Sequence, residues 1–222
     1  YRAGQGVAQD FAEAQKWYRQ AADKGDAGAQ YSLGIAYYAG QGIPKDFPIA
    51  VKWFTDSATQ GFTAAQNQLG NMYLQGDGVK KDDAAAAKWY QAAATQGHSE
   101  AQYSLGAMYR KGGSATPTNA TEAVKWLRLS SDQGHVAARN TLGAMYASGQ
   151  GVAANKVVAY ALHLLSEGSS AAIDNRSDWN RILGVDRLKA KEMTAGQDLS
   201  REMAKSKNLL AAMDRYIKDT TP

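Results

Sequence analysis

Three histidines are the side chains best suited to acid–base or metal chemistry in this chain of 222 residues, which has no cysteine. They are His98, His135 and His163, and the first two directly follow glycines at corresponding positions, Gly97 and Gly134. Scattered histidines in turns do not provide the clustered ligands of a metal site. We therefore interpret them as turn residues, and the sequence predicts neither a metal nor another cofactor.

Serine chemistry is equally unsupported by the sequence. The chain has no Gly-x-Ser-x-Gly motif, and no serine is followed three residues later by lysine, as a penicillin-recognising serine site requires. The loops Gly40-Gln-Gly42, Gly76-Asp-Gly78 and Gly149-Gln-Gly151 resemble phosphate-binding turns, but they lack the third glycine or the lysine–serine pair. We predict that they are turns and that the protein is not an enzyme.

Composition excludes two further classes of function. The net charge is only +4, and the longest run of Lys and Arg is the pair Lys80-Lys81, without an accompanying stripe of aromatic residues. This pattern argues against nucleic-acid binding. No apolar run approaches the length of a membrane span, so we predict no integral membrane segment.

A repeat of 36 or 37 residues positions all of these side chains. It is marked by a leucine–glycine pair and by a tryptophan, each of which recurs at spacings of 36, 36 and 37 residues. The pairs begin at Leu33, Leu69, Leu105 and Leu142, and the tryptophans are Trp17, Trp53, Trp89 and Trp126. Such a period predicts a stack of similar units, not independent globular domains.

One unit, taken from the third copy, reads as a helical hairpin. Its first helix is predicted over 65–74, and its second begins at the N-cap Asp82 and runs to Gln96 before Gly97. Asp or Asn occupies the same cap position in the other copies, at Asp10, Asp46, Asn119 and Asn155. We predict that the mid-helix glycines allow a close helix approach that buries the tryptophans, and that the repeat alanines are core residues.

The two ends of the repeat array differ from its middle. The first unit lacks its leading helix in this sequence, so we expect further chain before Tyr1 and a partly uncovered Trp17. After Gly168 the period stops, and helices are predicted over 171–188, 195–205 and 207–218, with a Thr194–Gln197 capping box. The predicted division is a repeat array over 1–170 and C-terminal capping helices over 171–222.

The pattern A-x-x-x-L-G-x-x-Y-x-x-G-x-G-V-x-x-D-x-x-x-A-x-x-W-x-x-x-A-A-x-x-G at 65–97 resembles the Sel1-like repeat family, which is related to tetratricopeptide repeats. The resemblance covers residues 1 to about 170. It implies an all-α fold, a right-handed superhelical solenoid of helical hairpins that acts as an adaptor. Bacterial members are often periplasmic or secreted and bind other proteins in signalling, secretion, host contact or toxin neutralisation.

A partner should bind where the repeat pattern does not fix the residue type. Relative to the repeat leucine, positions −2, +2 and +5 lie opposite the core stripe of the first helix and vary between units. We name these positions the first-helix face, and the resemblance implies that they line a concave groove. The face comprises Tyr31, Ile35, Tyr38, Asn67, Asn71, Leu74, Tyr103, Ala107, Arg110 and Asn140, followed by Ala144 and Ala147.

Tyrosine and arginine are favoured at protein interfaces, so Tyr31, Tyr38, Tyr103 and Arg110 are the predicted anchors for a protein partner. The alternative is that these tyrosines pack sideways on the next repeat. The sequence thus favours a non-enzymatic interaction scaffold. Two other hypotheses are an immunity protein that neutralises a secreted toxin, such as a lipase effector, and an enzyme acting on cell-wall or β-lactam substrates, which the missing serine and cysteine chemistry disfavours.

Overall fold

A computed structural model describes residues 11–113, 117–166, 188–206 and 208–220. This part of the chain forms eleven α-helices and contains no β-strand, which confirms the predicted all-α fold. The helices are α1 (Phe11–Asp23), α2 (Ala27–Ala39), α3 (Phe47–Thr59), α4 (Thr63–Gln75), α5 (Asp83–Thr95), α6 (Ser99–Lys111), α7 (Ala120–Asp132), α8 (Val136–Ser148), α9 (Lys156–Ser166), α10 (Ala190–Lys205) and α11 (Leu209–Thr220).

The chain divides into two compact units. Unit 1 consists of Tyr1–Ala101 with Gly113–Thr116, and unit 2 consists of Gln102–Gly112 with Pro117–Pro222. Within unit 1, α2 packs on α3 and α4 packs on α5, and within unit 2, α8 packs on α9. Each of these pairs is a first and a second helix of one repeat, as the hairpin interpretation predicts. The helices of the third repeat, α4 and α5, agree with the predicted bounds to within two residues.

Side-chain caps begin most of the second helices, as predicted from the repeated Asp and Asn. Asp46 accepts the backbone N–H of Ile49 at 2.9 Å, and Asp82 accepts those of Ala84 and Ala85, each at 2.9 Å. The amides Asn119 and Asn155 cap α7 and α9 in the same way. The predicted cap Asp10 lies outside the described residues. Glycines end the first helices, since Gly40, Gly76 and Gly149 adopt left-handed backbone angles.

The first helices are capped by a different set of side chains, which the sequence analysis did not identify. Asp26 accepts the N–H of Ala29 at 2.7 Å. In two later repeats the acceptor is a histidine Nδ1, because His98 bonds to the N–H of Ala101 and His135 to that of Ala138. His98 and His135 do lie in turns, as predicted, and they also satisfy backbone donors at a helix start. The same prediction is wrong for His163, which lies within α9 and is buried.

The mid-helix glycines make room for the residue that follows the tryptophan, not for the tryptophan itself. A Cβ on Gly70 would lie 2.6 Å from ring atoms of Tyr90, and one on Gly106 would lie 2.8 Å from Cγ of Leu127. Tyr90 and Leu127 are fully buried. The predicted close approach of the two helices is therefore correct. The side chain that packs on the glycine is the one after the tryptophan, whereas the sequence analysis assigned this contact to the tryptophan itself.

Burial of the tryptophans differs from repeat to repeat. Trp53 and Trp126 are buried, each with 7% of its surface exposed, whereas Trp89 is half-buried. Trp53 packs in one cluster with Ala22, Ala29 and Leu33 of the preceding helices. Trp17 is 56% exposed, which confirms the prediction that it is partly uncovered. The predicted core alanines Ala14, Ala50, Ala58, Ala86, Ala93 and Ala123 are buried, and Ala21 is half-buried.

Paired glutamine side chains link the two helices of one repeat, and the first-helix glutamine also bonds to the repeat before it. Gln96 Nε2 donates to Gln66 Oε1 at 2.9 Å, and Gln66 Nε2 donates to the carbonyl of Ala58 at 3.1 Å. The same arrangement links Gln60 to Gln30 in unit 1 and Gln133 to Gln102 in unit 2. The buried amides of Gln30 and Gln66 thus bond to carbonyls near the ends of second helices, which also accept the backbone N–H of a stop glycine.

The C-terminal helices of unit 2 pack on the last repeat. α10 contacts α9, where a Cβ on Gly196 would lie 2.5 Å from the ring of Tyr160. The predicted capping box at Thr194 and Gln197 is wrong, because α10 begins earlier and the Glu192 carboxylate instead accepts the backbone N–H of Lys189 at 2.6 Å. The helix predicted over 171–188 lies almost wholly outside the described residues. The helix predicted over 207–218 corresponds to α11.

Candidate functional site

Tyr31 is the central aromatic residue of the first-helix face in unit 1. Its ring lies 5.7 Å from that of Phe54 in α3 and 5.2 Å from that of Phe62, the residue before α4. The residue is half-buried. The two ring contacts restrict its motion, and Tyr31 is therefore a rigid, partly exposed aromatic surface.

Tyr38 lies two helical turns further along α2. Its ring is 5.2 Å from that of Phe47, and the Lys45 ammonium lies 5.9 Å from the Tyr38 ring and 4.3 Å from the Phe47 ring. The Tyr38 hydroxyl donates to a carboxylate oxygen of Asp77 at 3.3 Å. Burial, and then the negative charge of Asp77, raise the pKa of Tyr38 above its ordinary value. The hydroxyl is thus a stable donor at neutral pH.

The α4 part of the face is more polar and more deeply buried. Asn67 is only 8% exposed, and its side-chain oxygen is buried without a hydrogen-bond partner. Asn71 accepts a hydrogen bond from the Tyr90 hydroxyl at 2.6 Å, which fixes its side chain. Ile35 of α2 and Leu74 of α4 are half-buried. These residues lie in unit 1 with Tyr31 and Tyr38.

In unit 2 the first-helix face comes from α6 and α8. The Tyr103 ring stacks on the imidazole of His135 at 4.7 Å, with 23° between the planes. Ala107 is half-buried and Arg110 is exposed at the end of α6. On α8, the exposed Asn140 accepts a hydrogen bond from the Ser166 hydroxyl and lies 3.1 Å from Nδ1 of His163. Ala144 is exposed.

The face is less exposed than the helical pattern predicts. Asn67 is buried, and so is Ala147, at 7% exposure. Tyr31 contacts Phe62 and Tyr103 contacts His135, and each of these partners immediately precedes the first helix of the next repeat. The sideways packing considered in the sequence analysis is therefore present. The reason is that a first helix contacts both its own hairpin and the next one, which leaves a narrow strip in solvent.

The residues that support the anchors were missed by the sequence analysis. They are Phe62, which contacts Tyr31, and His135, which contacts Tyr103, and each directly follows the stop glycine of its repeat. Comparing this position between repeats could have identified them, since it is a phenylalanine or a histidine in the second to fourth repeats. Their contacts hold Tyr31 and Tyr103 in fixed orientations. The binding role of the face itself stays a prediction.

The described ranges provide no grouping of three His, Asp or Glu side chains that could hold a metal ion. Within the same ranges, no helix has the length and apolar character needed to cross a bilayer. The arrangement that the structure does provide is a surface of fixed aromatic and amide side chains. Such a surface is chemically suited to contacts with another protein.

Comparison with known proteins agrees with this description. The Sel1 repeat family profile matches five consecutive segments, 1–26, 27–62, 63–98, 99–135 and 136–167. The crystal structure of a Sel1 repeat protein from Oxalobacter formigenes is 32% identical, with 91% of this chain and 83% of that chain covered and a TM-score of 0.73. No curated protein sequence matches.

A second solved structure resembles this chain in fold alone. It is c5321, described as a protective antigen present in uropathogenic Escherichia coli strains displaying an SLR fold. It is 24% identical, with 100% of this chain and 62% of that chain covered and a TM-score of 0.53. The Sel1 repeat solenoid is a fold typical of protein–protein interaction scaffolds, and the family is generally non-catalytic. Five matching repeats and a similar solved Sel1 protein show that the chain belongs to the Sel1 repeat family.

Proposed function

We propose that this protein is a non-catalytic scaffold that binds a protein partner through the first-helix face. Tyr31 and Tyr38 are the proposed anchors in unit 1, and Tyr103 and Arg110 are those in unit 2. The observation that carries the proposal is the fixation of the Tyr31 ring between Phe54 and Phe62 in a residue that is only half-buried. A ring that is already immobilised loses little conformational entropy on binding.

Asn67 gives independent support within unit 1. Its buried side-chain oxygen has no partner, and an unsatisfied buried acceptor costs about 1–3 kcal/mol. A backbone N–H of a bound peptide could supply the missing bond after a rotation of the Asn67 side chain. The Tyr31 ring, on the neighbouring first helix of the same unit, would then provide apolar contact. We therefore favour an extended or helical segment of a protein over a small molecule as the ligand.

The test is affinity capture with the folded chain as bait, in extract of the producing bacterium, followed by binding measurements with the captured protein. The Tyr31→Ala/Tyr103→Ala double variant should retain helicity and weaken binding at least about tenfold. Ile49→Ala is the matched control, because Ile49 is 38% exposed on the second helix α3. It should bind like the wild type.

A third variant covers the case in which the double variant is destabilised. Arg110 is exposed at the end of α6, so Arg110→Ala should leave the fold intact and still weaken the partner. Loss of helicity in the tyrosine variant would show that the rings are part of the core. Unchanged affinity in both variants would refute the first-helix face as the binding surface.

A narrower form of the proposal is that the partner is a secreted effector or toxin that this protein neutralises, such as a lipase effector. It is supported only by the kinds of role that Sel1-like bacterial proteins serve. A toxin gene next to this one, together with inhibition of that toxin by the purified chain, would support it. A captured partner without toxic activity would exclude it while leaving the scaffold proposal intact.

We also propose a periplasmic or secreted location, on the same family resemblance. Fractionation of the producing bacterium, with immunoblotting against periplasmic and cytoplasmic markers, tests this directly. Recovery in the cytoplasmic fraction would exclude both the location and the neutralisation of an imported toxin in the periplasm. The enzymatic alternative is tested by β-lactam and peptidoglycan hydrolysis assays, in which we expect no turnover.

A further inference from the structure

The second helix α7 holds the C-terminal helix α11 at two points in unit 2. The Arg128 guanidinium donates to the Tyr146 hydroxyl at 2.8 Å and, through its other terminal nitrogen, to the Asp214 carboxylate. One turn further along α7, the Asp132 carboxylate accepts the backbone N–H of Leu210 at 3.4 Å, near the start of α11. An aspartate at the N-terminus of a helix also interacts favourably with the helix dipole.

Apolar side chains complete this docking in unit 2. Leu210 lines a cavity of about 400 Å³ with Val124 and Leu129 of α7. The arrangement is therefore a small receptor for a helix. It comprises an arginine–tyrosine pair for a carboxylate, an aspartate for the first backbone N–H groups, and an apolar contact between these polar points.

The same polar residues recur three repeats earlier, in unit 1. Arg19 and Asp23 on α1 and Tyr37 on α2 each lie 109 residues before their counterparts, which equals the three repeat spacings of 36, 36 and 37. Arg19 donates to the Tyr37 hydroxyl at 2.7 Å, as Arg128 does to Tyr146. The repeats between them do not carry the set, since the corresponding positions are Thr55 and Gln91 for arginine, and Thr59 and Thr95 for aspartate.

No helix occupies the set on α1 within the described part of the chain. Arg19 and Asp23 are both exposed, whereas the Arg128 side chain is only 21% exposed beneath Asp214. The Arg19 guanidinium lies 5.1 Å from the centre of the Trp53 ring, and no carboxylate of the described residues is bonded to it. A cation held by a ring and a hydroxyl is oriented in advance for an anionic group.

We propose that Arg19, Asp23 and Tyr37 form a docking site for an amphipathic helix of a protein partner. The helix carries Asp or Glu about one turn after its N-terminus, where it reaches Arg19, and its first backbone N–H groups face Asp23. Gln15 and Gln20 replace Val124 and Leu129, so its contact face is more polar than that of α11. This surface goes beyond the first-helix face and does not use its residues.

The probe for this site is a peptide of residues 208–220, acetylated and amidated at its ends, because that segment contains the helix already seated on such a set. Binding to the full chain is measured by calorimetry or by anisotropy of a labelled peptide. We expect saturable binding that Arg19→Gln weakens about tenfold or more, as loss of a charged hydrogen bond implies. Lys52→Gln is the control, since Lys52 also lies over the Trp53 ring, at 5.8 Å. The Lys52→Gln chain should bind the peptide like the wild type.

An Asp214→Asn peptide tests the same contact without altering the protein. It should bind the wild-type chain about tenfold more weakly, and it should lose little more on the Arg19→Gln chain, because both changes remove one interaction. Absence of binding at millimolar peptide would overturn the proposal. So would binding that ignores Arg19→Gln but falls with Arg128→Gln, which would mean that the peptide displaces α11 from α7.

The outcome is separable from that of the proposed function. The Tyr31→Ala/Tyr103→Ala variant should bind the peptide normally, because neither tyrosine belongs to the α1 site. A failed peptide experiment would thus leave the first-helix face untouched, and a failed capture experiment would leave the α1 site untouched.

Discussion

The ring of Phe54 lies directly on the backbone of Gly34, so that a Cβ on Gly34 would be 2.5 Å from ring atom Cε1. Real side chains do not approach so closely, and the ring is fully buried and cannot move aside without disturbing the core. The first helix α2 and the second helix α3 are therefore in contact through a position that only glycine fits.

Gly34→Ala should destabilise the protein by about 1–3 kcal/mol, because overpacking outweighs the higher helix propensity of alanine. Urea unfolding followed by circular dichroism measures this. Gly28→Ala, in the same helix, is the control, since the nearest atom to its Cβ would be a carboxylate oxygen of Asp26 at 3.4 Å, an ordinary contact distance. That variant should be neutral or slightly stabilised, and equal effects of the two variants would contradict the packing argument.

Asp82→Ala should lower the free energy of unfolding by about 1 kcal/mol, because the carboxylate accepts two backbone N–H groups at the start of α5. Asp82→Asn should lose much less, since the amide oxygen of Asn119 caps α7 with a hydrogen bond of the same kind. Thermal unfolding of the two variants side by side distinguishes capping from a general charge effect. A similar loss in both would point to charge.

The free energy of unfolding should decrease as the pH is lowered, and protonation of His98 should cause part of this decrease. Its Nδ1 accepts the N–H of Ala101, and burial lowers its pKa below 6.5, with Glu100 opposing the shift. The folded state thus favours neutral His98. Its contribution is complete above the unfolded pKa of 6.5 and is lost as the pH falls through the lower folded value. NMR titration should give a pKa below 6.5.

The matched variant for that prediction is His98→Asn, which keeps a cap acceptor that does not titrate in this range. Its unfolding free energy should change less between about pH 7 and pH 5 than that of the wild type. An unaltered pH dependence would mean that other groups dominate the acid response.

Gln66→Ala should destabilise the protein by about 1–2 kcal/mol, because it removes two hydrogen bonds, one to the Ala58 carbonyl and one from the Gln96 amide. The loss is moderate because the Ala58 carbonyl keeps the Gly61 N–H and the Gln96 amide keeps the Ala92 carbonyl. Gln75→Ala is the control, since Gln75 is exposed at the end of the same helix. The free energy of unfolding from urea titration measures both. A decrease in the free energy of unfolding no larger than that of Gln75→Ala would show that water replaces these hydrogen bonds without cost.

The sequence was sufficient for the elements that repeat. Leucine, glycine, tryptophan and cap positions recur at one period, so the hairpins and their bounds followed from it. It was insufficient where one side chain contacts both its own repeat and the next one. Tyr31 appears free on a helical wheel but packs on Phe62, and Asn67 is buried although its helical position lies opposite the core stripe. These contacts depend on the spacing between successive first helices, which the helix period does not contain.

The residue that packs on each mid-helix glycine could not be identified from the sequence either. A glycine in a helix indicates a close approach, but Phe54 and Trp53 are adjacent and both aromatic, so their roles are not separable without coordinates. The correspondence between the Arg19 and Arg128 sets can be recognised in the sequence, because their residues are separated by three repeat lengths. Their role in holding a helix cannot be recognised there, because it depends on the contacts between α7 and α11.

The eight helices from α1 to α8 are all 13 residues long. Uniform length makes a repeat an interchangeable cassette: deleting or duplicating one copy rejoins ends of the same geometry. A lineage can therefore shorten or lengthen such an array by recombination between repeats, and can acquire a new partner by exchanging surface residues in one cassette while its neighbours stay unchanged.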